Sequence, residues 1–186
     1  MNDKQARLDQ IAAEIGKSNV CPDLAKTAKH LVPGEGNPDA DIMFVGEAPG
    51  KKEDETGRPF VGAAGRFLDE LLLSIGLRRE DVFITSILKY RPPNNRDPKP
   101  HEKDAFWPYL LAQIEVIQPK LIVALGRHGA NCFFPDLKIG EEHGRPREWD
   151  GYTFLPLYHP AAALYNGGMR QTLIDDFKVI TTLSRN

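Results

Sequence analysis

A short apolar run that ends in a turn rich in glycine and proline is the feature that most constrains this chain. Residues 42–45 are all apolar and are followed by Gly46-Glu47-Ala48-Pro49-Gly50. Such a run is typical of a buried strand, and the proline prevents the strand from continuing. The turn therefore holds Glu47 at the carboxyl end of a strand, the edge where open α/β sheets bind ligands. A strand end with a solvated glutamate is the alternative interpretation.

Strand-like and helix-like segments alternate along the rest of the chain. The predicted strands span residues 41–45, 82–88, 121–126 and 152–157. The predicted helices span residues 3–17, 63–75, 101–118, 127–134 and 170–183. This alternation is typical of a mainly parallel sheet covered by helices on both faces. We therefore predict an α/β protein with a three-layer α/β/α fold and a central, mainly parallel four-stranded sheet, formed by residues 1–186 as a single domain.

The composition is that of an ordinary globular protein. Of the 186 residues, 41% are hydrophobic and 27% are charged, and no apolar run approaches the roughly 20 residues that a membrane span needs. The two cysteines, Cys21 and Cys132, do not form a disulfide framework. Because the N-terminus also lacks a signal-peptide pattern, we expect a cytoplasmic protein, and we expect it to be a monomer. The net charge of −2 argues against strong nonspecific binding to nucleic acid through overall charge.

Four polar segments each follow a predicted strand. They are the turn around Glu47, the proline-rich loop of residues 89–100, Arg127-His128 and Tyr158-His159-Pro160. The carboxyl ends of parallel strands meet at one edge of a sheet, so we expect the four segments to lie close together. This convergence predicts a functional site.

Many short motifs resemble the uracil-DNA glycosylase superfamily, most closely its family 4. The matching blocks are Gly34-Glu35-Gly36-Asn37, residues 44–50, Glu53-Asp54, residues 57–62, Ala64-Gly65, residues 91–96, residues 122–126 and His159-Pro160. That family has a central parallel sheet between helices. The resemblance implies a monofunctional DNA glycosylase that flips uracil out of DNA and hydrolyses its N-glycosidic bond. The product would be an abasic site, so the reaction would be the first step of base excision repair.

The resemblance also implies roles for individual residues. Removal of a base passes through an oxocarbenium-like sugar, and negative charge develops on the carbonyl oxygens of the departing pyrimidine. His159 would donate to the pyrimidine O2, and Glu47 would either orient the water or stabilise the sugar cation. Phe60 would stack on the flipped base, which the small residues Gly46 and Ala48 let the backbone approach. The alternatives are a structural hydrogen bond at His159 and a core position for Phe60.

Predicted contacts to DNA lie in two further segments. Residues 86–103 contain five basic and two acidic side chains, a local charge of +3, which favours contact with DNA phosphates. The residues predicted to bind DNA in this loop are Lys89, Arg91, Asn95 and Arg96. Leu164 matches the family's wedge position, which holds the duplex open, whereas Tyr165 stands where family members often have arginine. A solvated loop and an ordinary helix start at residues 161–164 are the alternatives.

The sequence departs from family 4 at the ligands of a [4Fe–4S] cluster. That family binds the cluster through four cysteines, and the corresponding positions here hold Ser18, Cys21, Tyr90 and Phe106. One thiolate cannot hold the cluster. We therefore predict that the protein has no iron–sulfur cluster, no other metal and no cofactor, and that Tyr90 and Phe106 fill the volume of the cluster with apolar packing.

A second departure is Ser86, where the family has an asparagine whose amide pairs with the edge of uracil. Serine supplies one short hydroxyl instead, so we expect uracil removal to be slower or less selective. The substitution leaves open a glycosylase for another deaminated base, hypoxanthine or xanthine. Two other classes also stay open, a uracil-DNA-binding protein that captures DNA covalently and a non-catalytic DNA-binding domain. Covalent capture of DNA relies on a histidine in a basic inserted loop. That insert is absent here, and His101 lies beyond the expected place.

Overall fold

The computed structural model describes residues 3–184. The helices are α1 (Asp3–Lys17), α2 (Pro22–Thr27), α3 (Lys51–Thr56), α4 (Ala63–Ser74), α5 (Pro100–Ile117), α6 (Arg127–Phe133), α7 (Ile139–Glu142), α8 (Ala162–Tyr165) and α9 (Gly168–Leu183). The strands are β1 (Glu35–Gly36), β2 (Ile42–Gly46), β3 (Phe83–Ser86), β4 (Leu121–Leu125), β5 (Arg147–Trp149) and β6 (Tyr152–Leu157). Within residues 3–184, no helix has both the length and the apolar character needed to cross a membrane.

The strands form one sheet in the order β1-β3-β2-β4-β6-β5. Its four inner strands are parallel, whereas β1 and β5 pair antiparallel at the two edges. The predicted α/β class and mainly parallel sheet are thus confirmed, but the predicted number of four strands is wrong because residues 3–184 form a sheet of six. The additional strands have two and three residues, which is too short for a periodic pattern to be visible in the sequence.

Alternate residues of the inner strands face two different helical layers. Met43 and Val45 of β2 pack in a core with residues of α1, α5 and α6. Ile42 and Phe44 pack in a second core with residues of α4 and α9. The two-residue period of side chains along a strand produces this division. Because both faces are covered, the inner strands are continuous apolar runs in the sequence.

The longer predicted elements are confirmed, with differences at their ends. The second strand, predicted over residues 82–88, ends at Ser86. The next two N–H groups, of Ile87 and Leu88, both donate to β2 and its turn, at the carbonyls of Gly46 and Glu47, whereas the N–H groups of a regular strand point alternately to its two sides. The sequence pattern does not predict α2, α3, α7 or α8, since none of them has more than six residues. Fewer than two helical turns give no recognisable periodicity.

Candidate active site

A cavity of about 510 Å³ lies at the carboxyl edge of the parallel strands. The chain leaves β2 for β3 on one side and leaves β4 for β6 on the other, so the loops diverge and open a crevice. Glu47, Phe60, Ser86 and His159 all line this cavity, whose volume is typical of a small-molecule site. Of the four segments that the strand-end argument predicts to converge, the Glu47 turn, the loop of residues 89–100 and His159 line the cavity, whereas Arg127 and His128 do not.

His159 is held beyond the end of β6 as a neutral hydrogen-bond donor. The backbone N–H of Ala161 donates to Nδ1 of His159 at 3.1 Å. Because that nitrogen is an acceptor, the proton of a neutral ring must be on Nε2. Burial lowers the pKa of His159 to about 4, so the ring is uncharged at neutral pH. Gly126 gives the ring room, since a Cβ at Gly126 would lie 3.1 Å from Cβ of His159.

Glu47 follows β2 and lies next to two polar side chains from other segments, Asp97 and His128. One carboxylate oxygen each of Glu47 and Asp97 and one ring nitrogen of His128 all lie within 4.8 Å of one another. Asp97 also forms an ion pair with Arg127 at 3.0 Å and contacts Nε2 of His128 at 3.3 Å, so these side chains form one polar network. Burial is the largest influence on Glu47 and raises the pKa of its carboxyl group, and Asp97 acts in the same direction. His128, Arg127 and Lys103 oppose this shift.

Phe60 lies against the ring of His159 in a strained backbone conformation. It is 7% exposed, and its φ of 50° lies in the left-handed region that bulky residues avoid. The ring centroids of Phe60 and His159 are 5.6 Å apart with an interplanar angle of 27°. A base between two rings needs roughly 7 Å, twice the contact distance of carbon atoms. A base in this cavity must therefore lie beside the pair of rings and not between them.

Gly46 accommodates Phe60. A Cβ on Gly46 would lie 2.6 Å from Cζ of Phe60, so any larger residue would displace the ring. Gly46 is not among the residues that line the cavity, whereas Ala48 is. The sequence argument that Gly46 lets the backbone approach a base is thus wrong in this structure, because the ring of Phe60 occupies that space.

Two charged residues hold the loop of Phe60 from opposite sides. The guanidinium of Arg79 donates to the carbonyls of Phe60 at 2.8 Å and Pro59 at 2.5 Å. The carboxylate of Glu53 accepts hydrogen bonds from the N–H groups of Val61 and Gly62 at 2.9 and 2.8 Å. These four bonds offset the strain at Phe60, where an unfavourable φ costs about 1–3 kcal/mol.

Sequence reasoning assigned no role to Arg79, which lies outside every recognised motif. Its guanidinium also pairs with Glu35 at 3.0 Å and with Asp69 at 3.1 Å. Glu35 and Glu53 belong to the motifs that resemble the family, but the resemblance implied no role for either residue. Arg79 lies 19 residues after Phe60 in the chain, and no local periodicity predicts that contact.

Lys89 does not face DNA, so its predicted contact with phosphates is wrong. The side chain is fully buried, at 0% exposure. Its ammonium donates to Thr85 Oγ1 at 2.6 Å, to the carbonyl of Ser86 at 2.7 Å and to Gln113 Oε1 at 2.7 Å. These three acceptors match the three N–H groups of an ammonium. Lys89 therefore anchors the end of β3 to α5, directly behind Ser86.

The other residues predicted to bind DNA lie nearer to solvent. Asn95 is exposed and accepts a hydrogen bond from Nε of the half-buried Arg91 at 2.7 Å. Arg96 is half-buried and forms an ion pair at 2.5 Å with Glu102. Asn95 and Arg96 line the cavity, and Leu164 is 48% exposed. The geometry leaves these four side chains near the cavity or in solvent, in contrast to Lys89.

Comparison with known proteins identifies the family. The model of the uracil DNA glycosylase superfamily matches residues 33–178. The chain belongs to this superfamily. It is 50% identical to a type-4 uracil-DNA glycosylase of Saccharolobus solfataricus over 93% of this chain and 84% of that protein. It is 49% identical to the type-4 enzyme of Archaeoglobus fulgidus, over 95% of this chain and 92% of that protein. Identity to the type-4 enzyme of Thermotoga maritima is 42%, over 96% and 95% of the two chains.

The family resemblance inferred from the sequence motifs is thus confirmed. The matched range contains Glu47, Phe60, Ser86 and His159. These are the superfamily motif residues that the structure brings to one cavity. The departures from family 4 that the motifs imply, at Ser86 and at the four cluster-ligand positions, stay predictions.

Three of the four residues predicted to stand at the cluster-ligand positions, Cys21, Tyr90 and Phe106, pack in one apolar core. Phe106 is fully buried, and its ring meets the ring of Tyr90 edge-on at 6.0 Å. Both pack in the same core as Cys21. Burial raises the pKa of the Cys21 thiol, which favours the neutral thiol over the thiolate that binds iron.

Proposed function

We propose that this protein is a monofunctional uracil-DNA glycosylase that acts in base excision repair. The observation that carries the proposal is the cavity shared by Glu47, Phe60 and His159, in a chain that is 50% identical to a type-4 uracil-DNA glycosylase. A carboxylate, an aromatic ring and a neutral imidazole donor are the groups that hydrolysis of a nucleoside bond requires. The substrate is uracil in single- or double-stranded DNA, and the products are free uracil and an abasic site.

His159 acts on the departing base. The bond between C1′ of deoxyribose and N1 of uracil breaks, and its electron pair leaves with the base. The resulting negative charge is shared with O2, and Nε2–H of His159 donates a hydrogen bond to that oxygen. A neutral imidazole suits this role, because its Nε2–H group donates a hydrogen bond to the oxygen and keeps its proton at neutral pH.

Glu47 acts on the sugar side. Loss of the base leaves positive charge on C1′ and the ring oxygen, which an ionised carboxylate stabilises. The same carboxylate attracts and orients a water molecule, whose oxygen forms the new bond to C1′ and whose proton passes to the carboxylate or to solvent. Phe60 and Ala48 contact the base, and Ser86 faces its polar edge.

Arg91, Asn95 and Arg96 are the proposed contacts to the DNA backbone, and Leu164 is the proposed wedge. Arg91 and Asn95 hydrogen bond to each other, so they would approach a phosphate as a pair. Arg96 is held by Glu102, so only its remaining N–H groups are available. Leu164 is exposed enough to enter the base stack when the uracil leaves it.

The deciding experiment is excision from a uracil-containing oligonucleotide, single-stranded and paired with guanine. The wild-type chain should release uracil and leave an alkali-labile abasic site. Glu47→Ala and His159→Ala should each lower the rate at least about 100-fold, and the surface variant Lys178→Ala should not change it. Uracil release that is unaffected by both site variants would contradict the assignment of this cavity.

Ser86 favours a second candidate, a glycosylase that also accepts hypoxanthine or xanthine. The residue lines the cavity and provides a single hydroxyl, so it can hydrogen bond to the polar edge of more than one kind of base. Duplexes that carry one lesion each would separate the candidates. Covalent capture of DNA has less support, because His101 is exposed on α5 and is not among the residues that line the cavity.

We further infer that the protein holds no iron–sulfur cluster. Ser18, Cys21, Tyr90 and Phe106 provide one thiolate, whereas the cluster takes four, and the contact between Tyr90 and Phe106 supports apolar packing in that region. The residues present do not fit the group. Iron analysis and the visible absorption spectrum of protein purified without oxygen test this inference, and stoichiometric iron would contradict it.

We also infer that residues 1–186 act as one domain, as a monomer, in the cytoplasm. One sheet with helices on both faces supports the first inference. Light scattering of the purified protein and cell fractionation test the oligomeric state and the location.

A further inference from the structure

A tyrosine side chain lies in solvent at the mouth of the candidate active site. Tyr165 is the last residue of α8 and is 91% exposed. It lines the cavity together with Ala161 and His159. Across the part of the chain that the structure describes, its ring contacts no other aromatic ring and its hydroxyl has no hydrogen-bond partner. Both faces of the ring are therefore available to a ligand.

This exposure differs from that of other surface side chains. Leu73 and Leu111 are 63% and 37% exposed, but they lie on α4 and α5 and are not among the residues that line the cavity. An exposed ring contributes little to the stability of the fold, because the hydrophobic effect depends on area removed from water. Aromatic rings in solvent beside a nucleic-acid site are the usual platforms for base stacking.

The position of Tyr165 is fixed relative to the catalytic imidazole. Helix α8 begins within three residues of His159, whose carbonyl accepts the N–H of Ala162 at 2.9 Å and whose Nδ1 accepts the N–H of Ala161 at 3.1 Å. Consecutive residues of a helix diverge by about 100°, so Leu164 and Tyr165 cannot fill the same space. Tyr165 lines the cavity and Leu164 does not, so the tyrosine lies on the cavity side of α8.

The nearby arginine is already engaged. The guanidinium of Arg170, at the start of α9, pairs with Glu70 and lies 4.4 Å from the centre of the Phe67 ring. Only its remaining N–H groups are therefore available to a phosphate beside the mouth. The aromatic ring of Tyr165 is the group that α8 presents there, and a base is the part of DNA that an aromatic face recognises.

We propose that Tyr165 stacks on the nucleobase next to the uracil in the same DNA strand. This proposal rests on the uracil-DNA glycosylase function proposed above. The strand that carries the flipped uracil must pass over the cavity mouth, so its neighbouring bases are the closest ones to Tyr165. Bases of the opposite strand lie beyond the gap that Leu164 fills. Stacking on a neighbour in the same strand needs no duplex, so it acts equally on single-stranded DNA.

The test compares wild type, Tyr165→Phe, Tyr165→Ala and the control Leu73→Ala. The probe is an oligonucleotide with a tetrahydrofuran abasic analogue flanked by 2-aminopurine, used as a single strand and as a duplex. Tyr165→Ala should weaken binding by about 5-fold to 150-fold on both forms and should abolish the quenching of 2-aminopurine fluorescence. Tyr165→Phe keeps the ring and should behave like wild type, as should Leu73→Ala.

Three results would overturn the proposal. They are wild-type affinity in Tyr165→Ala, equal losses in Tyr165→Phe and Tyr165→Ala, and a loss confined to the duplex, which would assign the ring to the opposite strand. Uracil excision by the wild-type chain is measured separately. Its absence would contradict the proposed glycosylase function, whereas normal excision together with unchanged Tyr165→Ala binding would contradict the stacking role alone.

Discussion

The backbone N–H of Ala161 donates to Nδ1 of His159 at 3.1 Å, so the segment that leads into α8 also sets the tautomer of the imidazole. The segment that leads into the helix of the proposed wedge thus holds the imidazole that is proposed to donate to the base. We therefore expect insertion of α8 into DNA and alignment of this donor to be coupled through residues 159–161.

This bond predicts the protonation state of His159 in solution. Because burial lowers the pKa of His159 to about 4, its ring should stay neutral, with the proton on Nε2, between about pH 5.5 and 8. Nitrogen-15 NMR of the imidazole across this pH range measures this directly. A His159 ring that gained a proton within this range, or a proton on Nδ1, would contradict the prediction.

Glu47 should determine the acid limb of the excision rate. Burial raises the pKa of this carboxyl group above its usual range, and only the ionised form stabilises a cation or orients water. The rate should therefore fall as the pH drops through this raised pKa, at a higher pH than for an ordinary glutamate. Glu47→Gln should lower the single-turnover rate by about 100-fold to 10,000-fold and should remove this acid limb. An unchanged acid limb in Glu47→Gln would assign it to another group.

Ser86→Asn should increase both the rate and the selectivity for uracil. Asparagine provides a donor and an acceptor toward the edge of the base, where serine has one hydroxyl, so kcat/KM for uracil should rise about tenfold relative to the other deaminated bases. Ser86→Ala, which removes the hydroxyl, is the matched control. If Ser86→Asn left rate and base preference unchanged, the role of this position in selectivity would be refuted.

Arg79 should be a positioning residue for Phe60. Arg79→Gln loses the fork that holds the carbonyls of Pro59 and Phe60, so the strained loop should relax and KM should rise about tenfold with a smaller change in kcat. Arg79→Lys keeps the charge without the fork and should recover part of the loss. The neighbouring exposed Arg78 is the control, and an equal effect of Arg78→Gln would point to general loss of stability.

Lys89 should make the stability of the fold depend on alkaline pH. Burial lowers the pKa of Lys89 from 10.5 to about 7, so between these values the unfolded chain binds more protons than the folded chain. The free energy of unfolding contributed by this group should therefore rise as the pH increases from about 7 to 10.5 and be at its minimum below that range. Lys89→Met should flatten this dependence in denaturant titrations, whereas the exposed Lys51→Met should retain it.

Much of the fold could be predicted because its signals are local. The apolar runs of β2, β4 and β6 and the spacing of α1, α4 and α5 depend on residues a few positions apart, and periodicity records them. The edge strands β1 and β5 were not predicted, because segments of two and three residues are too short to show a periodic pattern. The candidate site followed from the rule that strand ends of a parallel sheet share one edge, which brought Glu47 and His159 together without knowledge of any contact.

The sequence by itself determined the α/β class, the family and the residues at the strand ends, because each depends on short-range pattern or on motif identity. Only the tertiary structure decided which of those residues could act. It buried Lys89 among Thr85, Ser86 and Gln113. It also connected Arg79 to the carbonyl of Phe60 and left Tyr165 in solvent. Burial and hydrogen-bond geometry arise from contacts between distant segments, and composition alone does not distinguish a lysine in the core from one that meets DNA.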